Sequence, residues 1–193
     1  MKNKLIVIFG ASGSGKSTLA NDILQYIGDS KATIISQDYY FHGIKESKTK
    51  SFDEPSALDF KLLENHLQAL LNNNDIECPI YNFSTHSREK EVMILKPKNI
   101  IILDGTMVMT SSLIEKLSAY SIYCDIDIDI CFIRRLNRDI KERGRDFNSV
   151  VRQYLEEVRP SFFKYINPYK NKCDFFYNEK NKPKLFNNIK DLI

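Results

Sequence analysis

The sequence predicts an α/β fold in which helices cover both faces of a doubly wound parallel sheet. Apolar runs without polar alternation recur along the chain, as expected for strands buried on both faces. Segments with the apolar spacing of amphipathic helices separate most of these runs. The first run leads through a glycine-rich loop directly into a helix, which is the connection that a parallel sheet requires.

The bulk composition is that of an ordinary globular chain. The 193 residues predict one domain, residues 1–193, with a small insertion. Hydrophobic residues make up 42% and charged residues 27% of the chain. A net charge of +3 is too small to indicate nucleic acid or membrane as a partner. No stretch approaches the ~20 apolar residues of a membrane span.

The N-terminus and the cysteines bear on location. A charged start followed by an apolar run imitates a signal peptide, but the run stops at Gly10 and continues into the glycine-rich loop, so we expect no signal. The cysteines form no C-x-x-C pair, and we expect buried reduced thiols and a cytoplasmic location. The cysteines are Cys78, Cys124, Cys131 and Cys173.

The glycine-rich loop fits the phosphate-loop pattern of Gly, four residues and Gly-Lys-Ser/Thr. The predicted strand Leu5–Phe9 precedes it and an amphipathic helix follows. Glycines let backbone amides turn toward an anion, and the helix N-terminus favours negative charge. Lys16 can reach the β and γ phosphates, and the Ser17 hydroxyl can take a Mg²⁺ position. The predicted nucleotide-binding residues are Gly10, Ala11, Ser12, Gly13, Ser14, Gly15, Lys16, Ser17 and Thr18.

Two acidic residues follow predicted strands. The run Ala32–Ser36 ends just before Asp38, and in an open parallel sheet ligands bind beyond the carboxyl ends of the strands. The run 99–103 ends at Asp104, which completes the phosphate-loop signature with an acid on the Mg²⁺ side. A polar, lysine-rich stretch, 42–51, separates Asp38 from the next helix and is expected to be a mobile loop.

Periodicity and turn residues predict the other elements. Strands at Ile76–Tyr81 and Glu91–Lys96 predict an inserted β-hairpin, 76–98, with a polar and aromatic tip. Further predicted elements are a helix with apolar positions from Leu58 to Leu71, a helix Met107–Leu117, a strand Ser121–Ile126, a helix Asp129–Glu142, a helix Val150–Lys164 that ends at Pro160 or shortly after, a strand Asp174–Tyr177 and a terminal helix Pro183–Ile193.

The segment 129–152 is rich in arginine. Arg134 lies four residues and Arg135 three residues before Arg138, so neighbouring helix turns present a basic face on which like charges repel. Some anion must compensate them. Carboxylates of the segment itself could do so, namely Asp139, Glu142 and Asp146. Alternatively, the segment is an arginine-bearing lid that closes on phosphates.

These motifs resemble the uridine–cytidine kinases within the phosphate-loop kinases, over most of the chain. Besides the phosphate loop, the likeness rests on Ser36-Gln37-Asp38, Phe52-Asp53-x-Pro55, Tyr81-x-Phe83-x-Thr85-His86-Ser87-Arg88 and the run from Arg134 to Asp146. The last two stretches are the most diagnostic, because many NTPases share the phosphate loop.

The resemblance implies a single P-loop kinase domain that phosphorylates the 5′-hydroxyl of uridine or cytidine with ATP and Mg²⁺. It also implies that the hairpin lies at the nucleoside site, that 129–152 is a lid and that the chain is a homotetramer. It implies Asp38 as catalytic base, with Lys16, Arg143 and Arg145 also catalytic. The other implied positions are Arg138 at the nucleotide, Asp53, Tyr81, Phe83, His86, Arg135 and Gln153 at the nucleoside, and Ser17, Asp38 and Asp104 at the metal.

The sequence departs from the family pattern at three places. Phe41 replaces the usual Tyr and removes a hydroxyl. Asp104 replaces the usual Glu, which shortens the reach to Mg²⁺ and favours contact through a metal-bound water. Tyr177–Lys180 lacks the Pro-Arg-Gly turn near the adenine site and leaves the phosphate donor open. Alternative functions are a phosphoribulokinase-type or nicotinamide riboside kinase-type acceptor, and a nucleotide-binding protein without transfer activity.

Overall fold

A parallel sheet of five strands forms the framework of the protein. The computed structural model describes residues 3–43 and 51–192. The strands of the chain are β1 (Lys4–Phe9), β2 (Ala32–Ser36), β3 (Ile76–Asn82), β4 (Ser87–Leu95), β5 (Ile100–Gly105), β6 (Ser118–Cys124) and β7 (Phe175–Tyr177). The sheet has the order β2-β5-β1-β6-β7, with every neighbouring pair parallel. The predicted α/β fold with a doubly wound parallel sheet is confirmed.

Helices connect the strands and cover both faces of the sheet. The α-helices are α1 (Lys16–Ile27), α2 (Phe60–Leu71), α3 (Ser112–Leu117), α4 (Ile128–Lys141), α5 (Phe147–Gln153), the short α6 (Arg159–Ser161) and α7 (Lys182–Lys190). Short 3₁₀ helices lie at Gln37–Tyr40, Pro55–Ala57, Val108–Thr110, Asn167–Lys172 and Glu179–Asn181. In the part of the chain that the structure describes, no helix combines the length and the apolar character needed to cross a bilayer.

Alternate residues of β1 belong to two separate cores. Leu5 and Val7 pack in a cluster that includes the buried face of α2. Ile6 and Ile8 pack in a second cluster with the buried faces of α1 and α7. All four side chains are fully buried, which explains why the strand is apolar without alternation.

The strand register brings three functional loops to one edge of the sheet. Asp104 of β5 lies opposite Ile8 of β1 and Ser36 of β2. The phosphate loop, the 3₁₀ turn with Asp38 and the end of β5 therefore emerge side by side. This is the edge at which ligands of open parallel sheets bind.

Strands β3 and β4 form a separate antiparallel hairpin. Strand β4 begins at Ser87, four residues before the predicted start, because Tyr81 and Asn82 pair with Arg88 and Ser87. The tip is correspondingly short. The Asn82 side chain accepts hydrogen bonds from the backbone amides of residues 84 and 85, at 2.9 and 3.2 Å. The polar residues of the tip hid this pairing from a periodicity analysis.

Two predicted helices differ from the structure. The prediction Met107–Leu117 is wrong as one helix, because the Ser111 hydroxyl caps a new helix by accepting the Ile114 amide hydrogen bond. The helix predicted at Val150–Lys164, with an end at Pro160 or shortly after, begins three residues earlier and continues past Pro160. The helical path from Phe147 to Ile166 passes through π turns at Tyr154–Val158 and Phe162–Ile166. In the first π turn the Arg159 amide bonds the Tyr154 carbonyl, so the missing donor of Pro160 falls where α-helical bonding is already interrupted.

The expected loop 42–51 lies mostly outside the described residues. The four cysteines are free, and Cys78, Cys124 and Cys131 are buried as expected. Strand β6 begins at Ser118, three residues before its predicted start, and α7 ends at Lys190.

A close approach at Gly13 generates the first prediction. A Cβ atom there would lie 2.2 Å from the Cys131 carbonyl oxygen of α4, and the residue has a φ of +85°. We expect Gly13→Ala to lower the free energy of unfolding by more than about 2 kcal/mol, because conformational strain and a backbone clash add. Urea unfolding measures the change.

Gly28→Ala is the matched control. Gly28 has a φ of +94°, but a Cβ added there would meet no atom within 4 Å, so the substitution brings the strain without the clash. We expect Gly28→Ala to lower the free energy of unfolding by about 1 kcal/mol, the ordinary cost of such a backbone conformation. Equal losses for the two variants would show that the approach of α4 relaxes at no cost.

Candidate functional site: a phosphate loop facing an aromatic hairpin

The phosphate loop follows β1 and opens α1. Gly13 and Gly15 have φ angles of +85° and +88°, which residues with side chains rarely adopt. The Lys16 ammonium is buried and donates to the Ala11 carbonyl at 2.8 Å. Burial lowers the pKa of Lys16, whereas nearby Cys124 and Asp104 raise it. The loop thus carries a buried cation beside the helix N-terminus, as an anion site requires.

Oxygen groups gather beside this loop. The Ser17 hydroxyl donates to the Asp104 carboxylate at 2.7 Å, which places the first turn of α1 against the end of β5. Burial raises the pKa of Asp38, and the Asp104 charge raises it further, while Lys16, Arg143 and Arg138 lower it. The charge of Asp104 therefore acts on Asp38.

Gln37 joins the ends of β2 and β5 and was not predicted as a site residue. It is fully buried, donates to the Thr106 hydroxyl at 3.2 Å and accepts from the Met107 amide at 2.8 Å. A Cβ at Gly105 would lie 2.5 Å from the Gln37 Cβ. This contact fixes the residue before Asp38 against the residue after Asp104. Only the folded structure shows it, because the two segments are far apart in sequence.

The hairpin contributes an aromatic wall. The Tyr81 ring lies 5.6 Å from Phe41 and 5.1 Å from Phe83, and the His86 ring stacks on Phe52 at 5.2 Å. Burial raises the pKa of Tyr81. Its hydroxyl is buried and has no hydrogen-bond partner among the described residues. A buried hydroxyl of this kind is an open position for a polar ligand group.

Arg88 anchors the hairpin to the rest of the molecule. Its guanidinium donates to the backbone carbonyls of Phe41 at 2.9 Å and Tyr40 at 3.0 Å. It also forms an ion pair of 3.2 Å with Asp59, whose other oxygen caps α2 by accepting from Leu62. Arg88 therefore has a structural role, because it attaches the hairpin that carries the aromatic wall.

Two acidic side chains, Asp53 and Glu157, form a further part of the site. Burial raises the pKa of Asp53, Arg135 lowers it and Glu157 raises it. The Ser51 hydroxyl links the two acids: it donates to Glu157 at 2.8 Å and accepts from the Asp53 amide at 3.2 Å. Glu157 was missed in the sequence, because one acid in an amphipathic helix looks like an ordinary solvated position.

Four arginines surround Asp139, which is fully buried. Arg138 donates two hydrogen bonds to its Oδ1 atom, at 2.8 and 3.0 Å. Nitrogen atoms of Arg143, Arg135 and Arg145 lie 3.7, 3.5 and 4.0 Å from the carboxylate. We call these five residues the arginine cluster. Asp139, one of the three carboxylates named above, therefore supplies an internal counter-charge, and the lid alternative stays a prediction.

The arginine cluster contacts both sides of the site. Arg135 donates to the Ser12 hydroxyl of the phosphate loop at 2.9 Å. The Gln153 side-chain oxygen accepts from Arg135 at 3.2 Å and also from Arg145. The Arg143 guanidinium lies 4.7 Å from the ring centre of Phe83, a cation–π contact. Burial and the Arg138 charge lower the pKa of Arg143, whereas Asp139 raises it.

One cavity of about 1090 Å³ connects the phosphate loop, the aromatic wall, the acidic groups Asp53 and Glu157, and the four arginines. Of the predicted site residues, Gly10 and Ala11 alone do not border it. The bordering ones are Ser12, Gly13, Ser14, Gly15, Lys16, Ser17, Thr18, Asp38, Asp53, Tyr81, Phe83, His86, Asp104, Arg135, Arg138, Arg143, Arg145 and Gln153. Arg134, Thr106, Glu157, Tyr177 and Glu179 also border it and were not predicted as site residues.

This combination defines a class of protein. A phosphate loop with a buried lysine and an acid at the adjacent strand end is the apparatus of phosphoryl transfer. The aromatic and acidic walls lie in the same cavity, where an acceptor molecule can meet the phosphate. The fold and the site are those of a phosphate-loop kinase.

Comparisons with known proteins agree. The sequence profile of the phosphoribulokinase / uridine kinase family matches residues 5–183. Uridine kinase from Vibrio atlanticus (strain LGP32) is 38% identical over 190 residues, covering 94% of this chain and 89% of the relative. Uridine kinase from Oceanobacillus iheyensis is 38% identical over 183 residues, covering 92% and 87%. The chain therefore belongs to the phosphoribulokinase / uridine kinase family.

A solved structure supports the fold. A Silicibacter sp. TM1040 protein, described as a fructose transport system kinase, superposes with a TM-score of 0.72 at 16% identity, covering 92% of this chain and 90% of that one. The predicted family and the predicted class of enzyme, a phosphotransferase, are confirmed. The roles of the individual side chains stay predictions.

Arg88 allows the structural part of the site to be tested. We expect Arg88→Met to detach the hairpin and raise the KM for the acceptor about tenfold, because two carbonyls and Asp59 lose their partner. The KM for the nucleotide should change less than about twofold, since the phosphate loop is untouched. Steady-state kinetics with each substrate varied in turn gives both values. Lys90→Met removes an exposed positive charge from the same strand and should change neither value; a similar effect of both substitutions would contradict the anchoring role.

Proposed function

We propose that this kinase transfers the γ-phosphate of ATP to the 5′-hydroxyl of uridine or cytidine, giving UMP or CMP. One observation carries the proposal: a single cavity joins the phosphate loop to the aromatic hairpin, and Asp38 borders it. The relatives that are 38% identical are uridine kinases, which supports a pyrimidine nucleoside as the acceptor.

On the phosphate side the chain supplies donors and positive charge. The amides of 10–18 and Lys16 hold the β and γ phosphates, and the N-terminus of α1 favours their charge. Arg138, Arg143 and Arg145 border the same space and neutralise charge on the transferring group. In-line phosphoryl transfer needs positioning and charge neutralisation more than covalent chemistry, so this arrangement is sufficient.

On the nucleoside side each group has one task. Asp38 accepts the proton of the 5′-hydroxyl and orients the oxygen for attack. Asp53 accepts hydrogen bonds from the ribose hydroxyls, with Arg135 beside it. Tyr81 and His86 read the edge of the base, and the open hydroxyl of Tyr81 supports this role. Phe83 forms the aromatic wall. Gln153 acts through the arginines that it bonds, Arg135 and Arg145.

Mg²⁺ fits the oxygen groups at the strand ends. Among the described residues no group of three acidic, histidine or cysteine side chains could hold a metal by itself. The hydroxyl of Ser17 and the carboxylates of Asp104 and Asp38 are hard oxygen donors, which suit an ion that keeps several waters and binds through substrate phosphates. The ion supplies charge neutralisation at the phosphates when bound.

The proposal extends to the setting of the enzyme. Free cysteines without a disulfide among the described residues support a reducing compartment such as the cytoplasm. A homotetramer stays a prediction from the family resemblance.

A nucleoside panel tests the function. The purified chain is supplied with ATP and Mg²⁺, and ADP release is followed with uridine, cytidine, deoxyuridine, ribulose 5-phosphate and nicotinamide riboside. Uridine and cytidine should be used well and deoxyuridine poorly, because a missing hydroxyl leaves Asp53 without a partner. Turnover of only the last two acceptors would refute the proposal.

Asp38→Asn tests the catalytic base. The amide keeps the shape but cannot accept the proton, so kcat should fall roughly 10²- to 10⁴-fold while nucleoside binding persists. Asp125→Asn is the control, because Asp125 follows β6 at the same edge of the sheet but is paired with Lys170. An Asp38→Asn enzyme within about threefold of wild type would remove Asp38 from this role.

Asp104 tests the metal side. Its short side chain fits contact through a metal-bound water, which preserves most of the electrostatic benefit. Asp104→Asn should raise the Mg²⁺ concentration needed for half-maximal rate and lower kcat, whereas Asp104→Glu should remain active. A Mg²⁺ titration at saturating ATP measures this. If Asp104→Ala changes neither quantity, Asp104 is a structural strand-end residue.

A further inference from the structure

The arginine cluster holds one negative charge at its centre. We propose that Asp139 is a positioning residue, which holds Arg135, Arg138, Arg143 and Arg145 in the arrangement needed for phosphoryl transfer and leaves most of their charge free. The proposal rests on the proposed function, since it assigns the arginines to the transferring phosphate.

Asp139 holds neighbouring parts of the chain through both its side chain and its backbone. Its side chain is fully buried, a position that an aspartate occupies only with strong partners. Gly144 has a φ of +60°, which turns the chain back, and the Arg145 amide then donates to the Asp139 carbonyl at 3.0 Å. The backbone and the side chain of Asp139 therefore both hold the segment that carries Arg143 and Arg145.

The two carboxylate oxygens are used differently. Oδ1 accepts both bonds from Arg138, and Arg143 lies 3.7 Å from it. Oδ2 lies 3.5 Å from Arg135 and 4.0 Å from Arg145, yet it accepts no hydrogen bond from the described residues. Oδ2 thus attracts two guanidiniums without fixing either, and both are instead bonded to Gln153.

The charge balance decides the role. Within the arginine cluster one carboxylate faces four guanidiniums, so the cluster itself has a net positive charge, and all four arginines border the cavity. Without Asp139 the four like charges would repel one another and spread apart.

This role predicts a specific kinetic signature. Removing the Asp139 charge makes the cavity more positive, so ground-state nucleotide affinity is not weakened. The rate falls, because misplaced arginines no longer match the charge that develops during transfer. A merely structural residue would lower nucleotide affinity and rate together as the folded fraction falls.

Asp139→Asn in the full chain tests the proposal against Glu142→Gln. Glu142 is exposed and lies beside the cluster, so its substitution removes one negative charge nearby without removing the central carboxylate. Calorimetry measures the Kd of a non-hydrolysable ATP analogue with Mg²⁺ and no acceptor. ADP release measures kcat with the acceptor that the wild-type chain uses best. Circular dichroism verifies folding.

We expect Asp139→Asn to lower kcat roughly 10²-fold, the cost of displacing reacting groups by about 1 Å, while the Kd stays within about threefold or becomes tighter. Glu142→Gln should keep both values. A kcat equal to that of Glu142→Gln, or a parallel loss of affinity and rate, would overturn the proposal.

If Asp139→Asn does not fold, Asp139→Glu decides, since it keeps the charge and displaces the carboxylate by one methylene. We expect a lower kcat with unchanged Kd, and a wild-type kcat would overturn the proposal. Failure of the wild-type chain to use uridine or cytidine refutes the proposed acceptor instead, and the Asp139 variants are then compared with the acceptor found.

Discussion

The absence of a side chain at Gly13 sets how closely α4 approaches the phosphate loop. The Cys131 carbonyl occupies the space where a Cβ would lie, and the Arg135 amide is 3.2 Å from the same position. Arg135 can therefore reach the Ser12 hydroxyl, and the rest of α4 brings its arginines over the cavity. One backbone contact thus fixes the distance between the phosphate loop and the arginines of α4.

The site has two halves, the edge of the parallel sheet and the hairpin. The strand ends of the sheet supply Lys16, Asp38 and Asp104, and their spacing follows from the parallel register and from Gln37. The hairpin is a separate sheet and depends on Arg88 for its position. The Arg143–Phe83 contact links the hairpin to the segment after α4, so the arginine cluster spans both halves.

Local patterns allowed much of this to be predicted. The phosphate loop is a contiguous motif, and the strand-end position of Asp38 and Asp104 follows from the rule for parallel sheets. The contacts of Arg88 and Gln37 could not be predicted, because their backbone and side-chain partners are distant in sequence. Glu157 was missed for a different reason: a single acid in an amphipathic helix looks like an ordinary solvated position. The π turns around it leave no clear periodic signal.

Because the cavity is continuous, one molecule can occupy both of its ends. Two separate molecules that fill it each lose translational and rotational freedom, whereas one molecule that joins a nucleoside to a polyphosphate loses it once. Such a molecule meets the second half of the site at an effective concentration set by its own linker. Its affinity should then exceed the affinity that either half of the site provides alone. This requires a linker as long as the phosphate chain between the two halves, so that the base still contacts the aromatic wall and the phosphates still contact the loop amides.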